Sequence, residues 1–137
     1  MYLAMYANLP IREPYLQPGS HNFTNGASFA SAGAAVLVET NPLTLNIRIQ
    51  LGYLKKVANL LKEELGDTEA KNILENAIYL SSFGGVDYMA FINDTYPDVT
   101  QSKMEEYVKM VLGNLTEVTK QQYELESFDD GALFKDE

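Results

Sequence analysis

Apolar residues recur at helical spacing in two long stretches of the chain. The first runs from about 49 to 65, where apolar positions fall three or four residues apart: Leu51, Leu54, Val57, Leu61 and Leu65. The second runs from about 102 to 120 with similar spacing: Met104, Val108, Val111, Leu112 and Leu115. This period places the apolar side chains on one face of a helix. Each stretch is therefore predicted to be an amphipathic helix that packs against a core.

Shorter helices are predicted between the two long ones. Gly66 follows the first long helix, where a glycine can adopt the left-handed conformation that ends a helix, and Asp67 can cap the next one. That second helix is predicted over about 67–76. A further short helix is predicted over 88–92, and Pro97 interrupts the helical pattern after it because proline lacks an amide hydrogen.

Two runs without helical spacing accompany these helices. Residues 27–32 and 77–83 are short, largely apolar and uncharged, and glycines follow both of them. Such runs are typical of buried parallel strands, and strands that alternate with helices indicate an α/β fold with a parallel sheet. Two strands cannot form a complete sheet. The pattern therefore predicts part of a larger sheet, and the chain is expected to begin inside a longer domain.

The chain divides into a domain and a tail. Residues 1–120 carry the predicted helices and strands and are expected to form one partial domain. Residues 121–137 are acidic and are broken by Asp129, Asp130 and Gly131. A segment with this composition buries little apolar surface, so it is predicted to be a loose C-terminal tail.

Composition narrows the chemistry that the chain can perform. The 137 residues include no cysteine and a single histidine, His21, which argues against disulfides, thiolate metal sites and multi-histidine metal sites, and no cofactor is predicted. The net charge of −9 disfavours nucleic acid, whose phosphates would be repelled. No run approaches the roughly 20 apolar residues of a transmembrane helix, and no signal peptide is visible in the chain. His21 lies in a turn sequence and is expected to be a solvated loop residue.

Several segments together resemble the blocks of a known family. Residues 26–35 (GASFASAGAA) look like its second block, residues 83–88 (FGGVDY) look like its third block, and residues 6–10 and 14–16 resemble the stretch ahead of the second block. The blocks keep their usual order and separation, and the likeness covers about 5–120. On these motifs the chain resembles the plant GDSL esterase/lipases, also called SGNH hydrolases. The resemblance implies a partial flavodoxin-like, three-layer α/β/α fold without the first and last catalytic blocks.

The resemblance also implies which residues would act. Family members use a serine from a Gly-Asp-Ser block and a histidine from an Asp-x-x-His block, while an amide at the second-block glycine and the side-chain amide of a third-block asparagine hold the oxyanion. Gly33 matches the glycine, whereas Val86 stands at the asparagine position and has no side-chain donor. Neither the Gly-Asp-Ser block nor the histidine block occurs in the sequence. The chain is therefore predicted to carry no catalytic residue, with Gly33 as the remnant of the oxyanion site.

These departures leave three functional hypotheses. The first is an inactive GDSL-like protein, similar to the myrosinase-associated and epithiospecifier-modifier-like branch, that binds a protein partner (as in a myrosinase-system-like complex) or a small ester or lipid ligand. The second is a fragment of an active hydrolase that acts on carboxylic ester bonds of lipids or small plant esters. The third is a stand-alone helical adaptor, which would require 27–33 and 77–85 to be helical or loop.

Acceptor sequences for N-glycosylation begin at Asn22, Asn93 and Asn114. Composition alone would give about one such sequence, so the excess favours a glycoprotein of the secretory pathway. The resemblance is consistent with this, since it implies an extracellular, vacuolar or endoplasmic-reticulum-body location for the parent protein. Asn114 is expected to be a poor acceptor because it falls inside a predicted helix.

Overall fold

Helices provide the regular structure in the part of the chain that the computed structural model describes, namely residues 5, 6, 8, 12, 14–19 and 22–126. Residues 22–126 contain four helices: α1 (Ile47–Leu65), α2 (Asp67–Glu75), α3 (Gly85–Thr95) and α4 (Gln101–Glu126). None of the helices in the described ranges combines the length and apolarity needed to cross a bilayer.

Helix α1 begins two residues before the predicted start because Asn46 caps it. The Asn46 side-chain oxygen accepts hydrogen bonds from the backbone N–H groups of Arg48 and Ile49 at 3.0 and 3.1 Å. These bonds satisfy amides that have no partner within the first turn of a helix. At the other end, Gly66 adopts a φ of 82° and donates its N–H to the Lys62 carbonyl at 3.0 Å. The prediction that α1 ends at Leu65 is confirmed.

Helices α1, α2 and α4 share one apolar core. Its buried members come from all three helices and from the chain that precedes them: Phe23, Val57, Ala58, Leu61, Ala70, Leu74 and Leu125. Leu125 is only 1% exposed, so α4 is anchored well beyond the predicted end near residue 120. Residues 121–126 therefore belong to the helix. Residues 127–137, the remainder of the predicted tail, lie outside the described residues.

A second apolar cluster fixes the loop of residues 33–46, which we call the second-block loop. Val36 and Leu37 from this loop are buried with residues of α1 and α4: Ile47, Leu51, Val111 and Val118. Phe83, Tyr88 and Tyr107 pack around the edge of the cluster. The loop is thereby placed between the two long helices and the beginning of α3.

The predicted parallel sheet is not present among the described residues, and this corrects the α/β expectation for this chain. Within 27–32, only Ser28 makes a bridge, an isolated parallel one to Pro14. Residues 77–83 form neither helix nor strand, and Ile78 and Leu80 are 95% and 87% exposed. A strand requires a neighbour to pair its N–H and C=O groups. No described segment lies alongside Ile78 or Leu80 to do so.

Candidate functional site

Gly33 occupies a backbone conformation that suits glycine. Its φ is 73°, and a Cβ at this position would lie 3.0 Å from the Asn41 side-chain nitrogen. That nitrogen donates to the Gly33 carbonyl at 3.0 Å, and the Thr44 hydroxyl donates to the same carbonyl at 3.4 Å. Gly33 is exposed, and its own N–H has no hydrogen-bond partner among the described residues. The carbonyl is thus held from inside the loop.

Two hydrogen bonds join residues on either side of Gly33 to the end of the second-block loop and to the first residue of α1. The Ser31 hydroxyl accepts from the Leu45 N–H at 3.3 Å, and the Ala35 carbonyl accepts from the Ile47 N–H at 3.2 Å. Each bond ties a residue near Gly33 to the residues that lead into the helix. The position of the loop is therefore set by a rigid element.

The structure places Val86 in the first turn of α3 and partly buries it. Gly84, with a φ of 100°, turns the chain into this helix. Valine carries only methyl groups, so the side chain at this position offers no hydrogen-bond donor. The site therefore has no side-chain amide where the family resemblance expects one.

Asp87, the next residue, joins α3 to the second-block loop. One carboxylate oxygen, Oδ2, accepts from the Val36 N–H at 2.9 Å. The other, Oδ1, accepts from the Leu37 N–H at 2.9 Å and from the Thr40 hydroxyl at 3.1 Å. The residue is 0% exposed. A carboxylate enclosed in this way cannot reach a ligand, so its contribution is to hold the loop in place.

A residue of helix α4 also contacts Asp87. The Tyr107 hydroxyl donates to the Asp87 backbone carbonyl at 3.0 Å. The Tyr107 ring stacks on Phe91 with centroids 4.4 Å apart and meets the Tyr88 ring edge-on at 6.2 Å. Asp87 is therefore fixed through both its side chain and its backbone.

The sequence signals pointed to Gly33 and Val86 but missed the role of Asp87. A lone carboxylate near the start of the apolar sequence GVDYMAFI was the available signal. Such a residue must be either exposed or hydrogen-bonded, since a buried charge without partners is costly. Sequence alone could not identify the donors, because they lie about 50 residues away along the chain.

No histidine lies among the described residues of the site. The chain has one histidine, His21, and it lies outside the described residues. Ser31 is the serine nearest to Gly33 in the sequence, and its hydroxyl accepts from the Leu45 amide. An unactivated serine is a weak nucleophile near neutral pH. Among the described residues, no carboxylate or imidazole accepts a hydrogen bond from the Ser31 hydroxyl.

Asn22 and Asn93 are exposed, as glycosylation would require. The Asn22 side-chain oxygen accepts from the Thr24 N–H at 3.1 Å and from the Thr24 hydroxyl at 2.6 Å. Both residues of that acceptor sequence therefore lie in one solvent-facing turn. Asn93 is instead in the last turns of α3.

Asn114 lies within α4 and its amide group is already engaged. Its oxygen accepts from Arg48 at 2.8 Å, and its nitrogen donates to the Met110 carbonyl at 3.0 Å. Arg48 also donates to the Glu117 carboxylate at 2.9 Å, and this hydrogen bond lowers the pKa of Glu117 below its ordinary value. These contacts occupy both polar atoms of the Asn114 amide group.

An apolar cleft of about 50 Å³ lies beside the aromatic residues of the N-terminal segment. Its walls include Tyr15, whose ring packs against Phe23, Phe29 and Tyr53. Pockets for drug-sized ligands have volumes of roughly 300–1,000 Å³. This cleft is therefore too small to enclose a lipid.

Several known proteins with similar sequences share one description, that of a GDSL esterase or lipase. The chain is 41% identical over 133 residues to GDSL esterase/lipase 1 of Arabidopsis thaliana, 40% identical over 124 residues to GDSL lipase of Tanacetum cinerariifolium, and 39% identical over 128 residues to GDSL esterase/lipase 5 of Arabidopsis thaliana. Each comparison covers 90% of this chain. The chain is similar to plant GDSL esterase/lipases.

The likeness to these GDSL relatives covers only part of them. The chain spans 34%, 32% and 32% of the three relatives, or about a third of their length. No family model matches the chain. No solved structure matches it either.

Proposed function

We propose that this chain is a GDSL esterase/lipase-like polypeptide that does not hydrolyse esters on its own. The observation that carries the proposal is Val86, an aliphatic residue inside an otherwise intact third block. An oxyanion donor that is lost typically costs about 100- to 1,000-fold in turnover. The absence of a Gly-Asp-Ser block and of a downstream histidine supports the same conclusion, because the activated hydroxyl is then missing as well.

The role that remains under this proposal is binding. The exposed Gly33 amide could receive a carbonyl or an anionic oxygen from a small ester or lipid, or the chain could bind a protein partner. The finer parts of the proposal are a place in the myrosinase-associated branch and an origin in a three-layer α/β/α fold. The resemblance of the sequence blocks supports both, and identity with the GDSL relatives supports the family as a whole.

The test is to incubate the purified 137-residue chain with p-nitrophenyl butyrate and, separately, with a serine-reactive fluorophosphonate. We expect no turnover above buffer and no labelled serine, because a hydroxyl without a base remains protonated. An active plant GDSL esterase serves as the positive control. Ester turnover together with labelling of one defined serine would refute the proposal, and Ser31→Ala would show whether that serine is the one nearest Gly33.

The alternative is that the chain is a piece of an active hydrolase of lipid or small-ester carboxylic bonds. The observation in its favour is that the chain spans about a third of its GDSL relatives. A coding sequence with Gly-Asp-Ser upstream and Asp-x-x-His downstream would support this alternative. Without both motifs in the adjoining sequence, the alternative fails.

The helical-adaptor hypothesis requires separate consideration because its structural condition is met. Residues 27–33 and 77–83 are not strands in the described part of the chain. Loops in these segments are also expected of a GDSL-like chain in which the strands that would pair with them belong to sequence outside the 137 residues. Identity of 41% over 90% of the chain supports the GDSL-like interpretation over an unrelated adaptor.

We further propose that the parent protein enters the secretory pathway and is glycosylated at Asn22. The exposed turn at Asn22 supports this choice, whereas the Asn114 amide is occupied by Arg48 and Met110. Expressed through the plant secretory pathway, the Asn22→Gln variant should lose the mass of one glycan. Asn114→Gln, the matched control, should leave the glycan mass unchanged. Equal masses for the parent and the Asn22→Gln variant would rule out a glycan at this position.

A further inference from the structure

We infer that Asp87 is a positioning residue of this site. It keeps the second-block loop, which carries Gly33, in a fixed position relative to residue 86. The inference rests on the proposed function in one respect, that Gly33 and residue 86 are the two halves of a GDSL-type oxyanion site. Asp87 touches neither a ligand nor Gly33. It acts through the second-block loop.

The first step is the set of donors around the carboxylate. Val36, Leu37 and Thr40 all belong to the second-block loop, and together they use both carboxylate oxygens at 2.9–3.1 Å. Hydrogen bonds to an ionised carboxylate are roughly twice as strong as those between neutral groups. Three such bonds from five consecutive residues fix both the position and the orientation of the loop.

The second step is the burial of the charge. Asp87 is 0% exposed and forms no ion pair within the described residues, so hydrogen-bond donors must replace the water it has lost. Its position as third residue of α3 adds the favourable potential of a helix N-terminus. The buried carboxylate is therefore stabilised only when the loop donors are in place. Its burial and the loop conformation depend on each other.

The third step carries the constraint to Gly33. Asn41 directly follows Thr40, and its side-chain amide holds the Gly33 carbonyl. Thr44 closes the same turn through its contacts with the Asn41 and Gly33 carbonyls. On the other side, Asp87 is bonded covalently to Val86. A series of hydrogen bonds and covalent links thus runs from Gly33 to residue 86, and it is intact although valine offers no donor at position 86.

The test compares Asp87→Asn with Asp94→Asn in the full 137-residue chain by amide hydrogen exchange and NMR. The side-chain NH2 group of asparagine would face a loop N–H, and two donors cannot form a hydrogen bond with each other. The rate of amide exchange at Val36 and Leu37 should therefore rise by about tenfold or more through local opening. The Gly33 amide resonance should also move, although Gly33 does not touch Asp87. Asp94→Asn makes the same chemical change at an exposed position of the same helix, and this variant should leave all of these signals unchanged.

Exchange at Val57 and Leu61 in the core should change by less than about twofold, which separates positioning from general destabilisation. If Asp87→Asn unfolds the chain, Thr40→Val decides the matter, because it removes one donor and keeps the side-chain shape. Faster amide exchange at Leu37 and a shifted Gly33 amide resonance in that variant would support the inference. Unchanged Leu37 and Gly33 signals in the folded variants would overturn it. Neither result depends on ester turnover, so the inference and the proposed function can fail separately.

Discussion

Replacing Val86 by asparagine should raise kcat for ester hydrolysis by about 100- to 1,000-fold in a complete, active plant GDSL esterase in which residues 27–120 of this chain replace the aligned segment. The framework supplies the serine and the histidine, and the substitution restores the missing donor. Because charge develops on the carbonyl oxygen only in the transition state, kcat should rise while KM changes little. The measurement is steady-state hydrolysis of p-nitrophenyl butyrate.

Val86→Leu is the matched control for this gain. Leucine has a branched, elongated shape similar to that of asparagine but carries no donor, so its kcat should remain at the level of the valine protein. A gain of similar size with leucine would show that pocket shape limits turnover. No gain with asparagine, in a protein whose serine reacts with a fluorophosphonate, would mean that the oxyanion interpretation of residue 86 is wrong.

Replacing Leu61 by alanine should destabilise the isolated chain by about 2–5 kcal/mol. Leu61 is 2% exposed and lies where α1 meets α2 and α4, so the removed methyl groups leave a cavity that the surrounding helices cannot fill. Small domains have a free energy of unfolding of only about 5–15 kcal/mol, so this loss is a large part of the total. Urea unfolding followed by circular dichroism measures it.

Leu43→Ala makes the same chemical change at a leucine that is 96% exposed. Its free energy of unfolding should stay within about 0.5 kcal/mol of the parent chain. The difference between the two variants isolates the contribution of burial. Equal effects at the two positions would contradict the core described for the three helices.

The helices could be predicted from the sequence because their signals are local. The stripe that includes Leu51, Val57 and Leu61 defines α1, and Gly66 marks its end. Local signals were less informative about where α1 and α4 begin and end. Asn46 adds a capped turn to α1, and the burial of Leu125 extends α4 to Glu126.

The strand predictions were wrong because strand formation depends on contacts that are not local. An apolar, uncharged run such as residues 77–83 reports a preference for extended structure, but a strand also needs a partner, which local sequence cannot supply. About two-thirds of the length of each GDSL relative lies outside the matched segment, so such a protein has further sequence available to pair with this run. Asp87 shows the same limit within the site, since its donors are distant in sequence.

The run 77–83, which is exposed at Ile78 and Leu80, has a consequence for the polypeptide in a cell. It carries no charge and no proline, and it includes isoleucine, tyrosine and phenylalanine, the composition from which dry, interlocking fibril interfaces are built. Holdase chaperones bind unfolded chains, whereas the net charge of −9 opposes association between chains. The lifetime of the isolated polypeptide should therefore follow the supply of chaperones more closely than its melting temperature, which a pulse-chase with and without chaperone depletion would register.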